Sequence, residues 1–365
     1  MRKASNILLI IAGGCVAVGV LLCTLSAALF LWNPGQWDVE DFHTVNHTVT
    51  EPYTSIRVEG NTDSNLKILP AREGQEYQVV SYEREKQPHT VRVENDTLII
   101  TQKNERKWYD HIVIFSLPFS EPKITVYVPE TDYDSLYVEG TVGDVETDGS
   151  LTFGDIDIRL STGDIALKSN ITGTLNAKTS TGNMKIWGVN PTSVTLTATT
   201  GDIELYNAKI EGDVSITTDT GAQKILEISC HNLNMKCSTG GLDCHQTQIA
   251  EAFQFQSSTG RVSIGQVACG SVSGTATSGD IVCEGLTVAG DLRIENDTGD
   301  VTLTRSDAAT LHITTDTGDV EGSLLSEKIF FTESDTGHIG VPKGTAGGTC
   351  EIHTDTGDIT FTIVP

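Results

Sequence analysis

The chain has 365 residues and is strongly acidic, with 49 Asp and Glu against 24 Lys and Arg and a net charge of −25. This charge excludes a protein that binds nucleic acid through the phosphate backbone, and it disfavours flat binding to an anionic membrane.

The first predicted element is an apolar segment at the N-terminus. After Arg2 and Lys3 the chain is uncharged as far as Trp37, and residues 7–32 form its apolar part. This length can span a bilayer as a helix, whereas the apolar region of a secretory signal is about 7–15 residues. We therefore predict a cytoplasmic tip and a retained transmembrane helix in residues 1–32. The alternative is a signal peptide that is cleaved near Ser26.

The basic residues at the start also predict the orientation in the membrane. Arg2 and Lys3 favour a cytoplasmic N-terminus, so the rest of a single-pass protein would lie outside the cell membrane. Residues 33–41 read as a short linker. Because the first 32 residues contain no acid, the exterior part carries 22 basic and 49 acidic residues, a net charge of −27.

The next region, residues 42–140, is rich in strand-forming residues but follows no regular period. Its clearest strand segments are residues 56–58, 77–80, 97–100 and 124–128. Repeat proteins need atypical end units that cover the open edges of their strands. We predict that this region is a β-rich N-terminal cap.

A glycine recurs every 19 or 20 residues from the middle of the chain onwards, and this series predicts the fold of residues 141–365. All but the first of these glycines follow Ser or Thr, and seven precede Asp. The series is Gly143, Gly163, Gly182, Gly201, Gly221, Gly240, Gly260, Gly279, Gly299, Gly318, Gly337 and Gly357.

Each repeat is predicted to form one coil of a parallel β-solenoid. Val214, Ile216 and Thr218 alternate with polar residues before Gly221, and alternation of this kind indicates a half-buried strand. Two such strands and two corners make one coil. We therefore predict an all-β solenoid of about twelve coils, roughly 55–60 Å long at the strand spacing. The repeat also places Cys237, Cys244, Cys283 and Cys350 inside, and no cysteine pair has zinc-ligand spacing.

Several segments resemble one bacterial family. They are residues 53–60, the strand at 96–100, the strand at 124–129 that ends in Pro, and the repeated Ser-Thr-Gly-Asp-Ile corner. They are similar to the putative-adhesin β-strand-repeat proteins, a family defined by a domain of unknown function, over residues 45–365. The resemblance implies a solenoid that is often anchored by one helix, with some members in envelope-stress systems of Gram-positive bacteria. It brings no catalytic residues.

Two columns of Asp flank the Thr-Gly corner. In one interpretation their carboxylates accept backbone N–H bonds and close the turns. In the other, the columns form a ladder of oxygen ligands for Ca²⁺. The candidate ligands are Asp297, Asp300, Asp316, Asp319, Asp335, Asp355 and Asp358. His338 replaces Asp after Gly337 and is expected between the coils of Asp319 and Asp358. No other cofactor is predicted.

The sequence favours a non-enzymatic cell-surface solenoid that binds, adheres or senses at the cell envelope. Its partner would be an envelope protein or a wall polymer. No nucleophile elbow, phosphate loop or metalloprotease motif occurs. Two alternatives stay open, a carbohydrate-active β-helix enzyme and a passive structural spacer. An enzyme would cluster acids and basic residues in one groove, whereas here the Asp residues follow the repeat.

Overall fold

The computed structural model describes residues 42–103 and 121–364, together with the helical residues 16, 18–22 and 24. Among the described residues, no helix combines the length and the apolar character needed to cross a bilayer. The predicted transmembrane segment and the linker at residues 33–41 lie largely outside this described part. The structure therefore concerns the predicted exterior domain.

Residues 42–103 and 121–364 are built from strands that are joined by hydrogen bonds into one continuous sheet. The strands before the regular repeats are β1 (Phe42–Thr48), β2 (Ser55–Thr62), β3 (Asn65–Pro70), β4 (Gln78–Arg84), β5 (His89–Glu94), β6 (Thr97–Gln102) and β7 (Lys123–Val128). The next are β8 (Asp132–Val142), β9 (Val145–Thr147), β10 (Thr152–Thr162), β11 (Ile165–Leu167), β12 (Asn170–Ile171), β13 (Thr174–Thr181), β14 (Met184–Trp187), β15 (Ser193–Thr200), β16 (Ile203–Lys209), β17 (Val214–Thr220), β18 (Gln223–Cys230) and β19 (Leu233–Thr239). The last are β20 (Leu242–Ile249), β21 (Ala252–Thr259), β22 (Val262–Cys269), β23 (Ser271–Ser278), β24 (Ile281–Glu284), β25 (Thr287–Thr298), β26 (Val301–Thr317), β27 (Val320–Leu324), β28 (Lys328–Thr336), β29 (Ile339–Gly340), β30 (Gly348–Thr356) and β31 (Ile359–Ile363).

The middle of the chain forms the predicted parallel solenoid. Strand β15, which leads into a Thr-Gly corner, pairs in parallel with β13 on one side and β17 on the other. Strand β16, which follows the corner, pairs in the same way with β14 and β18. Each coil therefore stacks on the coils before and after it, and no single coil has to bury its own apolar face.

The glycine series lies in one column, as predicted, because the corners leave no room for a side chain. Eleven of the twelve glycines have φ between +128° and +152°, a region that residues with a Cβ rarely adopt. A Cβ at Gly221 would lie 2.1 Å from the carbonyl oxygen of Gly201 in the coil below. Conformation and close stacking therefore both require glycine here.

The middle coils contain a third bend that the two-strand interpretation of the repeat does not include. One residue in each second strand adopts a left-handed conformation with φ between +48° and +57° and turns the strand. These residues are Asn207, Glu227, Gln246, Gln266 and Arg305, and Gly188 and Gly285 occupy the equivalent place in two further coils. Glu, Gln and Arg carry no turn signal, so the sequence does not reveal this bend.

The inward and outward register agrees with the predicted alternation. Ile216 stacks between Leu196 and Met235, and all three are at most 1% exposed. The inward position three residues before the corner has a further role. Thr218 Oγ1 donates to the carbonyl oxygen of Gly221, and Asn296 Nδ2 does the same for Gly299. This hydrogen bond gives Thr218 and Asn296 a partner at an inward position, whereas other coils carry Leu160, Ala198 or Ala276 there.

The cysteines within residues 42–103 and 121–364 are free and buried, as the repeat predicts for Cys237, Cys244, Cys283 and Cys350; Cys230 and Cys269 are buried too. Cys244 lies in an inward column between Ile225 and Ile264. Burial raises the pKa of its thiol to about 12, so it stays protonated and behaves as a small apolar residue. Such a side chain fills the core and offers no reactive thiolate.

At the N-terminal end of the solenoid, the order of the coils in space differs from their order in the chain, and we call such an end crossed. Strand β2 lies between β6 and β8, and β3 lies between β7 and β9, all in parallel. The coil made by β6 and β7 therefore lies outside the coil that precedes it in the chain. Antiparallel strands β5, β4 and β1 then cover the outer edge. Within the predicted cap at residues 42–140, β2, β3, β6, β7 and the start of β8 thus continue the solenoid pairing, and β1, β4 and β5 close its end.

The C-terminal end is crossed as well. Strand β30 inserts between β26 and β28, and β31 inserts between β27 and β29. The coil of Gly337 is therefore outermost, its second strand β29 has only two residues, and Gly337 lacks the positive φ of the other corner glycines. The solenoid has about eleven turns, whereas the glycine series predicts about twelve.

Candidate binding surface

The Asp column directly after the glycines forms a ladder of hydrogen bonds between coils. Each bonded side chain accepts the backbone N–H of the equivalent residue in the next coil rather than one in its own turn. Asp300 Oδ1 accepts from the N–H of Asp319 at 2.9 Å, and Asp319 Oδ1 accepts from that of Asp358 at 2.8 Å. The ladder satisfies corner N–H groups that the strand pairing leaves free, which gives these Asp residues a structural role.

The second Asp column, two residues before the glycines, is exposed and its order differs from the chain order. The strand register places Asp316 next to Asp297, and Asp355 next to Asp316. Asp335 follows at the outer end. Stacking in chain order, which the glycine series predicts, would place Asp335 before Asp355. The two are exchanged because the coil of Asp355 inserts inside the coil of Asp335.

The same crossing moves His338 from its expected place. Its backbone N–H donates to Asp358 Oδ1 at 2.7 Å. His338 therefore lies at the outer end of the column directly after the glycines rather than between Asp319 and Asp358. In the described residues, no three His, Cys, Asp or Glu side chains come close enough together to hold a metal ion. The calcium ladder at the seven candidate Asp residues stays a prediction.

The cap contains a buried polar cluster with the residue types of a hydrolase triad. His89 Nδ1 lies 2.7 Å from Glu83 Oε2, and Ser64 Oγ lies 3.5 Å from His89 Nε2. Burial lowers the pKa of His89 against the opposing effect of its hydrogen bond to Glu83. All three residues are at most 5% exposed. A substrate cannot approach Ser64 Oγ there, so the cluster serves to satisfy polar groups at the closed end of the core.

The most distinctive outer surface is a strip of large side chains on four successive coils. Trp187, Tyr206, Leu226 and His245 stand side by side on the outer face of β14, β16, β18 and β20. Trp187 is 51% exposed, and its ring centroid lies 5.4 Å from that of Tyr206 at an interplanar angle of 50°. We call these four residues the aromatic strip. At the strand spacing it runs about 15 Å along the solenoid axis.

The strip ends where a glycine accommodates the last ring. A Cβ on Gly265, in the coil after His245, would lie 2.1 Å from His245 Nδ1, so the ring lies over the backbone there. His245 Nε2 is 3.2 Å from Ser263 Oγ. The imidazole is therefore held in place by a neighbour that lacks a side chain and by one hydroxyl.

A column of alternating charges flanks the strip on one side. It consists of Lys185, Glu204, Lys224 and Asp243, in register on the same four coils. Lys185 Nζ is 3.0 Å from Glu204 Oε2 and 5.7 Å from the centroid of the Tyr206 ring. Burial and the Glu204 carboxylate raise the pKa of Tyr206 to about 12, so its hydroxyl remains a hydrogen-bond donor.

The residues that adopt the left-handed backbone conformation at the bend flank the strip on its other side. Asn207, Glu227 and Gln246 directly follow the strip residues in sequence, and all three are exposed. Each lies at the bend of its strand. The strip is therefore bordered by charged groups on one side and by amide and carboxylate groups on the other.

Sequence reasoning missed this surface because it read the outward positions as uniformly polar. The strip occupies the fifth position after each of four glycines, from Gly182 to Gly240. In the coils that follow, the same position holds Gly265, Glu284 and Thr304. Alignment of the repeats on their glycines would have exposed the run of large side chains, which no motif marks.

Several solved structures are similar to this chain, whereas a search of curated proteins finds no match. The crystal structure of a putative adhesin from Bacteroides fragilis is similar at 12% identity and a TM-score of 0.27, over 88% of this chain and 98% of that one. A putative lipid binding protein from Parabacteroides distasonis is similar at 13% identity and a TM-score of 0.31, over 89% and 98%. The Toastrack DUF4097 family model matches residues 53–264 and 212–362, and the chain therefore belongs to that family.

Proposed function

We propose that this chain is a non-enzymatic binding solenoid of the cell surface that engages a component of the envelope through the aromatic strip. The observation that carries the proposal is the exposure of Trp187 in a row of large side chains that polar and charged columns border. An exposed Trp contributes little to the core, whereas exposed aromatic residues that cluster are typical of binding surfaces.

The surrounding geometry supports binding rather than catalysis. The strip lies on an outer face, and its charged neighbours alternate in sign along the coils instead of converging on one point. General acid-base or nucleophilic catalysis needs a base within hydrogen-bond reach of a reacting group. The Ser64, His89 and Glu83 cluster has that order of contacts but is buried.

The proposed location rests on the N-terminal sequence. A retained helix in residues 1–32 would hold the solenoid outside the membrane with its N-terminus in the cytoplasm. Membrane fractionation and protease treatment of cells stripped of wall test this directly. The full chain should sediment with membranes and its exterior domain should be degraded. Release of an intact exterior domain into the medium would instead indicate cleavage near Ser26.

A pull-down experiment tests the binding function. The full chain should retain material from isolated envelopes, and Trp187→Ala together with Tyr206→Ala should reduce that retention at least tenfold. The matched control is Phe331→Ala, because Phe331 is 57% exposed but lies at the far C-terminal end. Retention that is unchanged in the double variant contradicts a role for the strip. No retention by the wild-type chain favours the passive spacer.

A further inference from the structure

We infer that the aromatic strip binds an uncharged glycan chain that lies along the solenoid axis. The inference rests on the proposed function and names the ligand of the same surface. The rings of Trp187 and Tyr206 stand on adjacent coils with their centroids 5.4 Å apart, and Leu226 and His245 continue the row on the next two coils. A surface that repeats along one axis suits a ligand that also repeats along its length.

The side chains of the strip match the two kinds of surface on a sugar ring. The C–H groups on one face of a pyranose are apolar and pack against aromatic rings, while its hydroxyls point sideways around the ring edge. Trp187 and Tyr206 supply rings with an apolar face and a polar edge. Glu204 and Asn207 lie beside Tyr206 on opposite sides and supply acceptors and an amide donor for hydroxyls.

The local charge favours an uncharged polymer. Two lysines and two acids alternate beside the strip, so this column has no net charge. The chain as a whole carries −25, which repels anionic polymers at long range. A cationic ligand would be drawn to the acidic C-terminal coils rather than to this balanced surface.

The strand pairing disfavours a peptide as the ligand. Strand β16 is paired on both sides, with β14 and with β18, so its backbone offers no edge to which a peptide strand could add. An amphipathic helix needs an apolar groove, whereas the columns beside the strip are charged or polar. A folded protein that packs on Trp187 is the remaining alternative, and protease treatment of the envelope distinguishes it.

The test is affinity electrophoresis and calorimetry of the full chain with defined sugars. The probes are soluble neutral polysaccharides in the gel, and hexamers of β-1,4-linked N-acetylglucosamine and of β-1,4-linked glucose in the calorimeter. At least one neutral polysaccharide should retard the wild-type chain, whereas polyglutamate should not. Trp187→Ala and Tyr206→Ala should each weaken binding at least tenfold, and Phe331→Ala should leave it unchanged. Thermal melts of the variants verify that each is folded.

The outcomes separate this inference from the proposed function. If the wild-type chain retains envelope material but no neutral sugar binds, the glycan assignment is overturned and the binding function stands. If protease treatment of the envelope abolishes retention, the partner is a protein and the glycan assignment is again overturned. Failure to retain envelope material at all overturns both. Retardation that persists in the Trp187→Ala, Tyr206→Ala double variant places the sugar elsewhere and overturns the assignment to the strip.

Discussion

Single glycines control the corners of this solenoid, and their substitution should be costly. A Cβ at Gly221 combines an unfavourable φ of +142° with a clash against backbone that cannot move independently of its own coil. We expect Gly221→Ala to destabilise the protein by more than about 3 kcal/mol, because strain and collision add. Thermal denaturation measures the effect.

The control is a glycine with space around it. Gly188 has φ of +69°, and a Cβ added there would meet no atom within 4 Å. Asn207 occupies the same column one coil later and adopts a similar conformation. Gly188→Asn should therefore cost less than about 1 kcal/mol. A Gly221→Ala variant that melts like Gly188→Asn would contradict the requirement for glycine at the corner.

The bend in the second strand of each coil allows the reverse substitution to be tested, because its native residues adopt a strained left-handed conformation. An ordinary side chain in this conformation costs about 1–2 kcal/mol, and glycine removes that strain at an entropic cost of about 0.5–1 kcal/mol. Gln246, with φ of +51°, is exposed. Gln246→Gly should raise the melting temperature slightly, and Gln246→Val should lower it. A decrease with glycine would show that the Gln246 side chain makes a stabilising contact.

Individual residues also show what the sequence predicts and what it does not. The inward positions of Ile216 and Cys244 follow from a period of two, because burial alternates along a strand. The bend at Glu227 does not follow, since a strained conformation imposed by neighbouring coils leaves no trace in residue type. Trp187 is likewise invisible to periodicity, because it stands on the solvent side where the repeat tolerates any residue.

At the scale of elements, an ion pair fastens the outermost coil. Lys328 Nζ lies 2.7 Å from Asp307 Oδ1, and the lysine side chain is only 4% exposed. Burial acts to raise the pKa of Asp307, but the hydrogen bonds from Lys328 and Ser326 outweigh it and hold that pKa below its ordinary value. The pair therefore links the start of β28 to the interior of β26.

This pair should make stability depend on acid pH. A carboxyl whose pKa is lowered by folding contributes stability above its unfolded pKa, and the contribution is lost as the pH falls through its folded pKa. Lys328→Met should cost about 1–3 kcal/mol at pH 7, because it removes a hydrogen bond to a charged group. The difference in the free energy of unfolding between Lys328→Met and wild type should shrink below about pH 4. The control is Lys343→Met, which alters an exposed lysine. A stability difference between Lys328→Met and wild type that stays constant with pH would argue against a stabilising ion pair between Lys328 and Asp307.

The exposed Asp column predicts an effect of cations on the same end of the molecule. Residues 262–365 carry 4 basic and 16 acidic side chains. Carboxylates about 5 Å apart repel by about 1 kcal/mol or more, depending on the effective dielectric. Millimolar Ca²⁺ should therefore raise the melting temperature more than NaCl of equal ionic strength, and Asp316→Asn should reduce the difference. Equal effects of the two salts would leave charge screening as the whole explanation.

For the molecule as a whole, the sequence predicts the coil but not the order in which coils stack. The Thr-Gly corners at Gly318, Gly337 and Gly357 are nearly identical, so each fits beside either of the others. Pairing in space runs from β26 to β30 and then to β28. Local sequence specifies one turn, whereas this order depends on how well the ends pack, and periodicity contains no such information.

The crossed C-terminal end predicts an unequal response to deletions. Removal of residues 348–365 takes away β30 and β31, the strands with which β28 and β29 pair. Removal of residues 280–299, one interior coil, joins Gly279 to Asp300 and restores the Gly-Asp corner. The terminal deletion should lower the melting temperature more and should abolish hydrogen-exchange protection in residues 328–340. Equal losses in the two variants would mean that β28 and β29 can pair directly with β26 and β27.

The crossings also have a consequence for how such an array can evolve. Duplication of an interior coil adds one more layer between two matching neighbours and leaves both crossed ends as they are. A coil added after β31 would instead have to follow a strand that already pairs with β27 on one side and with β29 on the other, so it could not stack directly on β31. Family members of different length should therefore have gained and lost turns in the middle, while the crossed units at the two ends were inherited intact.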